Sequence, residues 1–108
     1  MFQKHNEEGY RQVIAGIAMK PLAYGASTQL CKFHLQKGSL LPRHSHPNEQ
    51  TGYMISGRMR FTIGEDTFEV EPGDNWCIPA NLQHNAELLE DSVIIEVFSP
   101  LRPDYLPR

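Results

Sequence analysis

From Arg11 onward, apolar residues come in short runs rich in Val, Ile, Phe and Tyr, broken by Gly, Pro, Asn and Asp. These runs predict strands near residues 13–17, 20–24, 29–36, 43–46, 52–56, 59–63, 67–71, 76–78, 83–88 and 93–98. Several alternate cleanly: Met59, Phe61 and Ile63 face one way while Arg58, Arg60 and Thr62 face the other. Phe68 and Val70 likewise alternate with Glu69 and Glu71. The run Ile63-Gly64-Glu65-Asp66-Thr67 predicts a hairpin with glycine in its loop. Nowhere do apolar residues hold a capped helical period for three turns; Glu87-Leu88-Leu89-Glu90 is the nearest and is too short. Many short strands with turn signals between them give an all-β chain, a sandwich or a barrel.

The ends differ from this pattern. Residues 1–9 are polar and predict a mobile arm or a loose first strand, and Pro100, Pro103 and Pro107 mark residues 99–108 as an extended tail. At 108 residues the chain is expected to be a single domain over 1–108. A formal charge of −3, with Lys and Arg scattered, offers no basic footprint for nucleic acid. No apolar run approaches the roughly 20 residues that span a bilayer. The opening residues lack the apolar core of a secretory signal, so the expected location is the cytoplasm. Cys31 and Cys77, far apart in apolar segments, are expected to be buried reduced thiols.

Candidate chemistry concentrates in residues 38–57. His44 and His46, two apart in extended chain, project to one side and can offer two imidazoles to one metal ion. Gln50 follows within loop reach, bracketed by glycines. Further on, Gly73-Asp74 and Pro79-Ala80-Asn81 suit turns, with Asn81 tolerating the positive φ usual for glycine, and His84 opens the next strand. His5 in the arm and His34, which shares a face with Lys32, are expected at the surface.

This layout closely resembles the two signature motifs of the cupin family. Gly38, His44, His46, Gln50 and Gly57 match the first motif; Gly73, Pro79 and His84 match the second. The resemblance implies a double-stranded β-helix of the RmlC-like, jelly-roll kind, with His44, His46, Gln50 and His84 holding one divalent metal ion in the lumen. The chain departs from the family at Gln50, where Glu is commoner, at Leu88, where Asn is common, and at Asn81, which replaces a glycine. Three imidazoles and a neutral amide leave the cation its full charge, which favours Lewis-acid chemistry. Imidazole suits Zn, Ni and Fe and an amide oxygen also accepts Mn, so the ligand set leaves the metal open.

On the last strand Ile94, Glu96 and Phe98 share one face and Val93, Ile95 and Val97 the other. Glu96 is either solvated or set in the lumen as a general acid/base, with Phe98 as a pocket wall. Arg102 is either a solvated tail charge or a clamp for a substrate carboxylate. The segments 44–53, 57–64 and 96–102 resemble the small single-domain cupins of pectin and alginate breakdown, which convert 4,5-unsaturated monouronates to the linear keto form. That likeness implies an isomerase of carbohydrate metabolism acting on an acidic sugar, with Glu96 and Arg102 catalytic and Phe98 and Arg102 binding substrate. The family's acid is usually Asp, so Glu96 is longer by a methylene. Alternatives are a metal-bearing sensor or accessory cupin without turnover, and a metal-dependent dioxygenase. Related cupins are commonly homodimers, and Val93, Ile95 and Val97 leave a face for such a contact.

Overall fold

The computed structural model describes residues 1–107. These form β1 (Arg11–Ile14), β2 (Ile17–Tyr24), β3 (Gln29–Leu35), β4 (Leu40–His44), β5 (Glu49–Ser56), β6 (Met59–Ile63), β7 (Asp66–Val70), β8 (Asn75–Ile78), β9 (His84–Leu88) and β10 (Ser92–Ser99), then a 3-10 turn at Pro103–Tyr105. A six-stranded sheet, β1-β2-β3-β10-β5-β8, faces a four-stranded one, β4-β9-β6-β7, and the paired strands run antiparallel. This is the all-β architecture expected from the strand pattern, in the jelly-roll form that the resemblance implies. No helix among the described residues is long and apolar enough to cross a membrane.

Alternation decides what the barrel contains. In β10 every second residue, from Ser92 through Ile94 and Glu96 to Phe98, is buried. In β3 Gln29, Cys31, Phe33 and Leu35 point the same way. Met59 and Phe61 of β6 and Ala86 and Leu88 of β9 close the opposite wall. Each large apolar side chain withdrawn from water in this way stabilises the fold by about 1.5–3 kcal/mol. Pro42 sits in β4, the edge of the smaller sheet, where its missing N–H leaves no ladder bond unmade.

Several boundaries differ from expectation. The strand predicted at 13–17 is a hairpin: Ala15-Gly16 turns the chain, and Gly16 takes φ 77°, which a side chain would resist. His46 lies beyond the end of β4, whereas Gln50 stands within β5 rather than in a loop. Cys31 is buried as expected, but Cys77 is exposed because it alternates with the inward Trp76; both are free thiols. The first nine residues are coil, with Lys20 Nζ donating to the Asn6 carbonyl at 2.5 Å and its side-chain oxygen at 2.8 Å. His34 is exposed and packs on Tyr10, ring centroids 4.3 Å apart. The tail folds back, and Tyr105 packs edge-on against Phe33 and Phe98.

Candidate metal centre

His44 ends β4 and His84 opens β9, and the two are paired across the ladder with ring centroids 4.2 Å apart. The neighbouring Arg43 turns outward and fastens this junction. Its guanidinium donates to the Gln83 side-chain oxygen at 3.0 Å, the Asn85 side-chain oxygen at 3.1 Å and the Gly64 carbonyl at 3.0 Å. Gln83 and Asn85 flank His84, so one side chain holds both histidine-bearing ends together. The turn after β8 secures the third histidine: Asn81, at φ 68° as its sequence context predicts, donates its N–H to the His46 carbonyl at 2.8 Å.

All three imidazoles are oriented by the same device. Nδ1 of His44 faces the Pro42 carbonyl at 2.8 Å, that of His46 the Asn48 carbonyl at 3.0 Å, and that of His84 the Leu82 carbonyl at 3.0 Å. A carbonyl oxygen only accepts, so each Nδ1 carries the proton and each Nε2 of a neutral ring presents a lone pair. One ligand atom from each of the three histidines falls within 4.8 Å of the other two. Burial, reinforced by the Arg102 charge, lowers the pKa of His46, and burial pushes that of His84 down to about 4. Neutral rings are the form a metal ion takes up.

Gln50 completes the set. Its Oε1 lies 2.6 Å from His46 Nε2, while its Nε2 donates to Glu96 Oε2 at 2.5 Å. With Nδ1 of His46 protonated, two lone pairs confront one another at hydrogen-bond distance with no proton between them. A shared cation resolves that conflict, so the donor set of three imidazoles and an amide oxygen fits a divalent metal ion.

Behind this set runs a row of residues across the large sheet: Cys31, Glu96, Gly52 and Trp76 are paired in register on β3, β10, β5 and β8. Residues opposite one another on adjacent strands share a face. Gly52 has no side chain, so the Trp76 indole lies across it and reaches Glu96 on the next strand. Trp76 Nε1 donates to Glu96 Oε2 at 3.1 Å, the oxygen that also takes the Gln50 N–H. Glu96 is 6% exposed, and burial raises its pKa to about 7 against the opposing pull of those two donors and of Arg102.

A cavity of about 360 Å³ opens beside these groups, and its lining includes His44, Gln50, His84, Glu96, Phe98 and Arg102. Phe33, Leu35, Met59 and Ile94 give the same cavity apolar walls. Arg102 is therefore no free tail charge. Its guanidinium stacks on Tyr105 at 3.9 Å and over Phe98 at 5.2 Å, and its backbone N–H donates to Gln29 Oε1 at 2.5 Å. Asn48 Nδ2 donates to the Pro100 carbonyl at 2.6 Å, and Arg11 donates to the carbonyls of Asp104 and Leu106 at 2.5 and 3.1 Å. The chain from β10 onward is thus stitched against the cavity, with Arg102, Asp104 and Tyr105 in its lining.

The structure brings together all seven residues singled out in the sequence: His44, His46, Gln50, His84, Glu96, Phe98 and Arg102. Sequence reasoning missed Trp76, Tyr105, Gln29 and Arg11. For Trp76 the available signal was Gly52, since an isolated glycine inside a strand marks a close approach.

The chain belongs to the cupin family: the family model described as a cupin domain matches residues 31–98. Within that family it is 27% identical to the pectin degradation protein KdgF of Dickeya dadantii (strain 3937) over 103 residues, 94% of each chain. The solved structure of KdgF from Halomonas sp. superposes with a TM-score of 0.87 at 29% identity, covering 93% of both chains. An RmlC-like cupin from Shewanella frigidimarina NCIMB 400 shares the fold with a TM-score of 0.91 at 21% identity, over 97% of this chain and 95% of that one.

Proposed function

We propose that this cupin is a metal-dependent isomerase that converts a 4,5-unsaturated monouronate to its linear keto form. The observation that carries the reading is the convergence around one cavity of a cation-ready donor set (His44, Gln50 and His84 in its lining, with His46 against Gln50), a buried proton carrier (Glu96) and an arginine in its wall (Arg102). Similarity to a pectin degradation protein over nearly the whole chain supports an acidic sugar as substrate.

The reaction is an isomerisation with no net oxidation. A proton leaves the anomeric hydroxyl, the bond from C1 to the ring oxygen breaks, C4 gains a proton and C5 becomes a ketone. A divalent cation such as Zn, Ni, Mn or Fe, held by the four ligands, supplies Lewis acidity toward the substrate's oxygens. Arg102 presents guanidinium N–H groups to the substrate carboxylate, and its stacking on Tyr105 and Phe98 limits where that carboxylate rests. Phe98 walls the sugar ring. Glu96, with a pKa near neutrality, takes and returns the proton.

The test follows the ultraviolet absorbance of the substrate alkene in the presence of the metal-loaded protein. Wild type should remove the absorbance, and Gln50→Ala and Arg102→Ala should slow the loss by 10²-fold or more. Ligand-induced thermal stabilisation without turnover would instead indicate a binding cupin, and oxygen uptake a dioxygenase. The free thiols Cys31 and Cys77 suit a cytoplasmic protein. A homodimer would cover the outer face of β10 and β5, where Tyr53 and Ile55 are 45% and 46% exposed; light scattering tests that association.

A further inference from the structure

We propose that Trp76 is a positioning residue of the metal centre: through Glu96 it fixes which end of the Gln50 amide faces the histidines, and Gly52 is the gap in β5 that lets it do so. The inference rests on the metal-centre reading and goes beyond it.

The two ends of a carboxamide are nearly identical in shape, but only the oxygen ligates a cation. Which end points inward is decided by what the other end meets. Here the Gln50 Nε2 meets Glu96 Oε2 at 2.5 Å, so the oxygen is left facing His46. That choice holds only while Oε2 stays an acceptor. An indole N–H is a donor and nothing else. By donating to the same oxygen at 3.1 Å, Trp76 holds the Glu96 carboxyl where Oε2 meets the Gln50 N–H as an acceptor. Trp76 stands on β8 and Glu96 on β10, with β5 between them, so the contact exists only because residue 52 has no side chain. An added Cβ there would lie 2.4 Å from the indole nitrogen itself.

The test titrates metal-free protein with Co(II) against a chromophoric chelator, reading both affinity and the visible spectrum of the bound ion, in wild type, Trp76→Phe, Glu96→Gln and Glu96→Leu. Trp76→Phe keeps an aromatic ring but loses the N–H, and its affinity should fall about 10-fold or more with an altered spectrum. Glu96→Gln retains an oxygen that can accept both N–H groups, so its affinity and spectrum should stay close to wild type. Glu96→Leu has no acceptor and should resemble Trp76→Phe. Trp76 is the only tryptophan, so its emission in wild type should change as Co(II) is added. Equal affinity and spectrum in wild type and Trp76→Phe would overturn the inference while leaving the metal centre standing. If Trp76→Phe does not fold, equal Co(II) binding by Glu96→Gln and Glu96→Leu overturns it by the same logic. A wild type that takes up no Co(II) overturns the metal-centre reading, and this inference with it.

Discussion

Gly52 and Trp76 face one another across the β5–β8 ladder, so closely that a methyl group on residue 52 would stand 2.3 Å from the indole ring. No rotation of a methyl relieves such a contact, and the indole must move. Gly52→Ala should therefore cost about 1–3 kcal/mol, the range for overpacking a close-fitted interior. Because the displaced ring leaves Glu96, the tryptophan emission should also shift. Urea denaturation measures the first effect and fluorescence of the folded protein the second. An alanine variant with wild-type stability and emission would mean that the indole does not lie over residue 52.

Metal removal should be visible as lost stability. A cation that binds the folded chain alone, present at about 100 times its dissociation constant, stabilises it by about 2.7 kcal/mol. For a domain of this size each 1 kcal/mol shifts Tm by roughly 4–8 °C, so chelation should lower Tm by roughly 10–20 °C. The facing lone pairs of His46 and Gln50 add repulsion to the metal-free state. Coincident melting curves with zinc and with chelator would rule out a structural hold on the ion.

Arg102 should tolerate no basic replacement. Its guanidinium carbon sits 3.9 Å from the centre of the Tyr105 ring, a contact an ammonium imitates poorly, and a lysine offers no planar fork to a carboxylate. Arg102→Lys should raise KM for the uronate by about 10-fold or more, the worth of a charge-assisted hydrogen bond of about 1.5–3 kcal/mol. Metal affinity should be unchanged, since Arg102 makes no hydrogen bond to any of the four proposed ligands. Steady-state kinetics and a parallel metal titration separate the two effects; an unchanged KM would remove Arg102 from the binding role.

How much of this was legible in the chain depends on whether local pattern or long-range register supplied the information. Period-two alternation placed β6 at its observed bounds, and parity put Glu96 and Phe98 on one face with Ile94, because each is a local property of one strand; that this face is the buried one came only with the fold. The Ala15-Gly16 turn was lost within an apolar run, since a two-residue hairpin inserts only one conformational signal, the glycine. Cys77 was misplaced because a four-residue strand is too short for alternation to declare its phase. Gly52 signals a close approach within its strand, but nothing local names Trp76 as the side chain that makes it. Its partner lies 20 residues away in sequence and two strands away in space, and only the register of three strands aligns them. The same holds for Arg11, which meets the tail across 93 and 95 residues.

The buried carboxyl of Glu96 should leave a measurable imprint on stability. The unfolded chain releases this proton near pH 4.5, whereas the folded protein holds it to about 7. Between those values the folded state binds more protons, so stability falls as pH rises, by about 3 kcal/mol across the window. His84 acts in the opposite sense. Its pKa is lowered from 6.5 to about 4, so its contribution is lost as pH falls through that range. In metal-free wild type the two slopes therefore oppose one another over much of the same interval and hide each other. Glu96→Gln cannot ionise and retains both hydrogen-bond acceptances, which isolates the carboxyl. Urea denaturation of the metal-free proteins should show the variant gaining about 3 kcal/mol on wild type between pH 4.5 and 8. Stability curves that run parallel would mean that Glu96 is not held protonated by the fold, and its part as the proton carrier would fail with that result.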